Sequence, residues 1–578
     1  MLQVLVLFFY MGITTWIIGY GALSFLSGCR RLTLDIPYGI RYRISYPIAG
    51  TVCVTVYAQI FSLFAPVGAA AFLLLNALCV LIAFLYRRKL AEELRGIRQA
   101  SRADRILWIL LFLLFAYGTS HGIMHYDTGL YHAQSIRFIE EYGVVPGIAN
   151  LHSRLGYNSA SFAFSALYSF AFTGSQSLHA GAGFFALLLA YSCLDLRCIL
   201  RRRKPDLSSF ARFAGLYYLF NIYKEMVSPA PDYFLNCFLF CLLILWLDLD
   251  GEQEKHFFPY ALLTIGFGYS VTLKLSAAPL LLLVLLPVRR IIRAGKNRGS
   301  AGIIRAIIGF IGIGFLIAGP YMARNVMISG WPLYPSTTPG FFAVPWQLPR
   351  DLADGDAAGV RAYAQEVPAP APGARAASLA EWFPHWFLTQ SMISRILIIA
   401  DLLIAAGLAV TLIRILITGL GGRKRADAGG TGVFLLTVLS ASFLFWLLAS
   451  PLIRYGFFFV WTPPVLLCGL AVRRFVSRCS EKQIRVLTGL LALLLFVFLV
   501  YKGFRLIMTD RTLMQVPRLV TQQPYETYSV EPYEVDGVTF YAPVDGDRTG
   551  YDGFPGGDHK GGFRLLGDSL REGIAADR

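Results

Sequence analysis

The sequence predicts an all-α polytopic membrane protein of about fourteen transmembrane helices, ending in a small outward β-rich appendage. Of its 578 residues, 56% are apolar and only 15% charged, with a positive mean hydropathy. That is more apolar surface than one water-soluble core buries. The apolar residues come in runs of roughly 20, the length that crosses roughly 30 Å of hydrocarbon at 1.5 Å per residue. The basic residues collect in short connections between those runs.

The runs fall near 1–26, 47–64, 67–86, 106–123, 177–199, 210–227, 232–249, 257–273, 276–289, 303–323, 391–418, 432–450, 455–472 and 485–505. The first has no basic n-region and no small-residue cleavage site, so it reads as a retained span. The formal charge of +17 does not point to nucleic acid, because the cations are dispersed among loops rather than set on one soluble face. Counted alternately, the spans put Arg87-Arg88-Lys89 through Arg105, Arg201-Arg202-Arg203-Lys204, Arg289 through Arg305, Arg423-Lys424-Arg425 and Arg473-Arg474 on one side. The positive-inside tendency makes that side the cytoplasm. The loops 124–158 and 326–390 and the tail from 507 then face outward. All nine cysteines lie in spans or at their inner edges, which implies no disulfide framework.

Three regions follow: accessory spans with a basic loop (1–105), a transmembrane core (106–506) and an extracytoplasmic tail (507–578). Ser161 to Phe172 is apolar but short, which suggests a re-entrant or interfacial helix. SIRFIEEYGVV sets Ile136 and Ile139 on one helical face, the pattern of an amphipathic helix on a membrane surface. Trp331, Trp346, Trp382 and Trp386 suit a wall in the headgroup layer, and the Ala/Pro run from Val367 reads as flexible. In EVDGVTFYAPV, Asp536-Gly537 between alternating residues signals a hairpin.

Charge placed where lipid should exclude it marks a lined cavity. Asp127, Asp232, Lys274, Arg324 and Arg454 all map to outer span ends, a convergence suited to an anionic substrate. The stretch from Met124 to Ser159, MHYDTGLYHAQSIRFIEEYGVVPGIANLHSRLGYNS, adds further hydrogen-bonding groups. Asp127 is the candidate general base, with a pKa expected to be raised by partial shielding from water. Arg324, Lys274 and Arg454, with neighbours Asn325 and Tyr455, are candidates for phosphate oxygens, and Asp232 for a second acid or counter-charge. His125, Tyr126, His132, Gln134, Asn150, His152, Arg154 and Asn158 are further candidates to bind substrate. The histidines His121, His125, His132 and His152 form no recognised zinc-binding pattern, and no metal site is assigned. No phosphate loop, dinucleotide fingerprint or nucleophile elbow stands in a strand-turn-helix setting, so an activated donor other than a nucleotide is implied.

The Met124–Ser159 stretch resembles the signature of a group of bacterial integral membrane proteins sharing a YDTGLYH loop, related to the GT-C superfamily of polyprenyl-phosphate-sugar glycosyltransferases. SPAPDYF at 228–234, TLKLSAAP at 272–279, RNVMISGWPLYPST at 324–337, PLIRYG at 451–456 and the tail GYDGFPG…LLGDSLREGI from Gly550 resemble the same group, so the likeness runs over roughly 106–578. It implies a GT-C-like core in which an acidic residue of the first outward loop, here Asp127, is or positions the acceptor base. It implies transfer of a sugar from a polyprenyl-phosphate donor to a cell-envelope glycan or glycolipid acceptor, at the outer face of the bilayer. This chain departs in having Asp127 without an adjacent acid and in three extra N-terminal spans, which leaves a divalent cation and the acceptor open. The alternatives are a lipid-linked oligosaccharide polymerase or ligase, and a transporter or flippase without transferase activity.

Overall fold

In the computed structural model the described residues are 1–34, 38–40, 42–194, 206–249, 256–294, 300–369, 375–418, 426–509 and 518–577. The basic clusters at 201–204 and 423–425, Cys198, and parts of the 289–305 loop and the Ala/Pro run lie outside them.

Each of the fourteen apolar runs is helical over described residues. Among the described residues nine helices are long and apolar enough to cross a membrane, or ten with the sharply bent pair Ala69–Leu85 and Arg87–Arg98. These helices make the chain a multi-pass membrane protein. They form because, without water, each backbone amide must find its partner inside its own segment. Phe258–Leu273 and Gly181–Cys193 are shorter apolar helices packed among the long ones. One continuous core joins them, from Val4 and Phe8 of the first helix through Phe184 and Phe234 to Phe458.

The two ends of the bundle differ. At one, Leu2 N–H donates to Leu519 O (2.9 Å), Gln523 N–H to Ser120 O (2.8 Å), Ile123 N–H to Lys224 O (2.8 Å) and Val67 N–H to Ile139 O (2.9 Å), so the tail and the 124–158 loop lie together. At the other, Arg212 pairs with Asp248 at 2.5 Å and Arg43 with Glu93 at 3.0 Å. The tail ends in two small antiparallel sheets: β1 (Val530–Val535) pairs with β2 (Val538–Pro543), and β3 (Phe563–Leu565) with β4 (Ile574–Ala576). Asp536 and Gly537, at φ 50° and 79°, make the two-residue turn of the expected hairpin. The sheets own no separate core: Phe540, Phe563 and Ile574 bury with Phe138, Ile148 and Leu155 of the loop 124–158.

Several local expectations change in three dimensions. Helix Ala133–Glu141 is not free to lie on a membrane surface. Ile136 and Ile139 face the bundle core, while Phe138 meets the ring of Phe554 at 4.5 Å from the tail. Helix Ala160–Leu167 is short as expected but wholly buried within protein. Trp331, Trp382 and Trp386 are buried and Trp346 half-buried, donating its indole N–H to Val326 O at 3.0 Å. A tryptophan that packs against protein on all sides has no face left for headgroups. The eight described cysteines are free thiols.

Candidate functional site

Four helix ends meet over the loop 124–158. Helix Pro231–Asp248 starts with proline, whose missing N–H is not needed there, followed by Asp232 in the favourable positive field of the helix N-terminus. Lys274 stands in extended conformation where Phe258–Leu273 breaks before the next helical segment. Arg454 is in the first turn of Ile453–Val476, which is kinked at Gly456 (φ −124°, ψ 21°). Asp127 precedes a π-turn at Thr128–His132, a widened turn frequent at functional sites.

Asn236 ties two of these ends together. Fully buried, its Nδ2 donates to Asp232 O at 2.8 Å and to Arg454 O at 3.3 Å, while its Oδ1 accepts from Phe458 N–H at 3.0 Å just past the kink. Gly456 makes the kink possible, since a Cβ there would lie 2.3 Å from Trp446 Nε1, which itself donates to Leu452 O at 3.1 Å. Arg454 is thereby aimed at two carboxylates. Its Nη2 lies 3.0 Å from Asp127 Oδ2 and its Nε 3.2 Å from Asp232 Oδ2. Lys274 Nζ binds the other Asp232 oxygen at 2.5 Å and lies 3.2 Å from the Tyr455 ring centroid, a cation–π contact. Asp232 is 4% exposed, so both of its partners are needed to compensate a buried charge.

His125 Nδ1 accepts the Asp127 backbone N–H at 3.1 Å, so that nitrogen carries no proton. Its 3.4 Å approach to the Asp127 carboxylate is therefore a contact rather than an ion pair. Burial, with Arg454 nearby, also lowers the His125 pKa and keeps the ring neutral. Burial alone would raise the Asp127 carboxyl, but the Arg454 guanidinium, 3.0 Å away, outweighs that and holds it below its ordinary value. The expected raised pKa is thus reversed, because the partner cation outweighs the shielding. His132 is buried between Thr128 and the rings of Tyr131 and Phe162, and burial drives its pKa down to about 3.

The other candidates stand elsewhere. Arg324 is buried, its Nε donating to Asn158 Oδ1 at 2.9 Å and its Nη1 bonding Ser62 Oγ, with no carboxylate paired to it among the described residues. Asn325 Nδ2 donates to Pro332 O at 2.9 Å and closes the following loop. Gln134 clamps the tail, donating to Gly550 O and Gly553 O at 2.8 Å each and accepting from Gly556 N–H at 3.2 Å. Asn150 donates to Gly147 O, Trp346 O and Ile574 O, and His152 Nε2 meets Asp558 at 3.5 Å. Tyr126, half exposed, bonds Asp547 of the tail, and Arg548 lies over its ring at 4.5 Å. These polar groups hold loop to tail; the motif is as much a docking surface as a pocket. Its glycine shows this, since a Cβ at Gly129 would lie 2.5 Å from the Tyr528 ring.

Some groups near the site were not singled out from sequence. Tyr131, four residues after Asp127, lies between the cluster and Tyr157, and that spacing was a readable signal. Asp356, in helix Arg350–Gln365, accepts from Ser153 Oγ at 3.2 Å, Tyr334 OH at 3.2 Å and Tyr157 OH. An Ala/Gly/Asp helix gives no hint of that. Among the described residues no group of three or more His, Cys, Asp or Glu side chains is gathered to hold a metal ion.

Fold and cluster together define a multi-pass helical membrane protein with a partly shielded ionic site at one end of its bundle. Within that class, the chain belongs to the DUF8201 family, described as a domain of unknown function, whose family model matches residues 1–461. That stretch contains Asp127, Asp232, Lys274, Arg454 and Tyr455, and leaves the β-containing tail outside. No curated protein and no solved structure matches the chain.

Proposed function

We propose that the protein is a GT-C-like membrane glycosyltransferase that moves a sugar from a polyprenyl-phosphate donor to a cell-envelope glycan or glycolipid on the outer face of the bacterial cytoplasmic membrane. The observation that carries this reading is one ion cluster, Asp127–Arg454–Asp232–Lys274, assembled from four separate helix ends at one end of the bundle. Charges that are costly to shield from water in a membrane protein mark a substrate site in this reading. We keep the fourteen-span topology as part of the proposal, with the tail end of the bundle outward.

In this reading the acceptor hydroxyl gives its proton to the Asp127 carboxylate as its oxygen bonds to the anomeric carbon with inversion. The bond from that carbon to the phosphate oxygen breaks, and polyprenyl phosphate leaves. Arg454 and Lys274 stabilise the charge that develops on the phosphate. Asp127 at rest is ionised but weakly basic, because Arg454 holds it. A donor phosphate competing for Arg454 loosens that pair and raises the proton affinity of Asp127 when the acceptor is deprotonated. Arg324, hydrogen-bonded within the protein, has a supporting role in this scheme. The test is sugar transfer in membranes supplied with labelled polyprenyl-phosphate sugar, comparing the parent with Asp127→Asn. Undiminished transfer by the variant removes Asp127 as the base.

A further inference from the structure

Arg324 stands in helix Ser300–Ser329 where that helix packs on the loop 124–158, beside the bond from Gly147 N–H to Met327 O at 2.7 Å. Its side chain is buried, at 2% exposure. The other buried guanidinium groups near it in burial are paired with carboxylates: Arg212 with Asp248 at 2.5 Å, and Arg454 with Asp127 at 3.0 Å and Asp232 at 3.2 Å. Arg324 has only neutral partners among the described residues. Nε donates to Asn158 Oδ1 at 2.9 Å and Nη1 to Ser62 Oγ, which leaves Nη2 without a hydrogen bond. Neutral dipoles soften the cost of taking a full charge out of water but do not cancel it.

A cavity of about 20 Å³ opens against this guanidinium. Arg324, Asn158, Tyr157 and Ser135 line it among apolar side chains. Ser135 is buried, and its Oγ has no hydrogen-bond partner. No carboxylate lines the cavity. The two acids close in sequence or contact to its walls are engaged elsewhere: Asp356 accepts the Tyr157 hydroxyl, and Glu140 accepts from Ser177 and Tyr551. One wall thus offers a positive charge with a spare N–H, another a spare hydroxyl, and nothing negative faces them.

Size decides what can complete this arrangement. Roughly 10–15 Å³ of such space holds one water, so the cavity takes a single particle of that scale. A phosphate group, with five heavy atoms, does not fit. A water would satisfy the two donors but leave the charge of Arg324 uncompensated, whereas a monatomic anion does both.

We propose that the cavity between Arg324 and Ser135 is a binding site for one halide ion, which accepts from Arg324 Nη2 and from the Ser135 hydroxyl. The site fastens the loop 124–158 to helix Ser300–Ser329, and it stands independently of the transferase reading.

The experiment is thermal unfolding of the full-length protein in lipid nanodiscs, in potassium chloride, potassium bromide or potassium gluconate at equal ionic strength. Gluconate is too large for the cavity, and equal ionic strength holds charge screening constant. The parent melts about 2 °C or more higher in either halide than in gluconate, and the difference grows with halide concentration. Arg324→Met abolishes that difference. Ser135→Ala melts like the parent in gluconate, because its hydroxyl has no partner to lose, and shows a smaller halide shift; it decides the matter should Arg324→Met fail to fold. Crystals grown in bromide show an anomalous peak between Arg324 and Ser135. Equal melting of the parent in halide and gluconate overturns the proposal. So does a halide shift that Ser135→Ala and Arg324→Met both keep in full, or a cavity that holds only water in the bromide crystals.

Discussion

Arg454 reaches back 327 residues to place its Nη2 3.0 Å from Asp127 Oδ2, joining the helix that opens Ile453–Val476 to the YDTGLYH loop. The same guanidinium approaches Asp232 at 3.2 Å, so one arginine serves two carboxylates. An aspartate with no acidic neighbour in sequence thus has one in space.

Removing the shared counter-charge should be costly. Asp232→Asn leaves Lys274 and Arg454, each no more than 27% exposed, short of negative charge, with an expected loss of about 3 kcal/mol or more. The double variant Asp232→Asn with Lys274→Met restores the balance and recovers a large part of it. Thermal unfolding in detergent, read as a double-mutant cycle, checks this; simple additivity would mean that Lys274 and Asp232 are not coupled.

The tail is predicted to be undocked by a single change in the loop. Gln134→Ala removes three hydrogen bonds that span more than 400 residues of sequence, at a cost of about 1–3 kcal/mol. Hydrogen exchange over 550–556 should accelerate while the transmembrane helices keep their protection. Unchanged exchange there would show that the Phe138–Phe554 packing alone holds the tail.

Acid should weaken the fold through His132. Burial holds its folded pKa at about 3 against an ordinary 6.5, so the unfolded chain takes up the proton first. Its neutral form therefore supports the fold fully above pH 6.5, and that support falls away as pH drops from 6.5 toward 3. Asp127, lowered in the fold, adds a second loss only as the pH falls from its ordinary 3.8 through its folded value. His132→Gln, neutral at every pH, should flatten the melting-temperature profile between pH 6.5 and 3; an unaltered slope would place the acid sensitivity elsewhere.

Much of this architecture was readable in the chain because bilayer thickness constrains it directly. Apolar runs of span length are helices here, and Asp536-Gly537 makes its hairpin. Four of the five span-end charges converge for the same reason, since lipid leaves a charge few places to go. Arg324 escaped that logic by burying against neutral Asn158 and Ser62, which sequence position cannot reveal. Gln134, Asn150 and His152 read as substrate contacts in the sequence because polar loop residues look alike whether they meet a ligand or another part of the same protein. Their partners, Gly550, Ile574 and Asp558, lie some 400 residues away. The polarity of the Asp127 shift was missed for a related reason: burial can be guessed from one segment, but the arginine that reverses its effect belongs to another.

The action of Asp127 on the substrate's acceptor is tested most directly by initial-rate sugar transfer from a polyprenyl-phosphate donor by Asp127→Asn in membranes. The substitution keeps size and one acceptor oxygen while removing the base, so transfer should fall at least about a hundredfold with the protein still folded. Transfer at the parent rate would contradict the account.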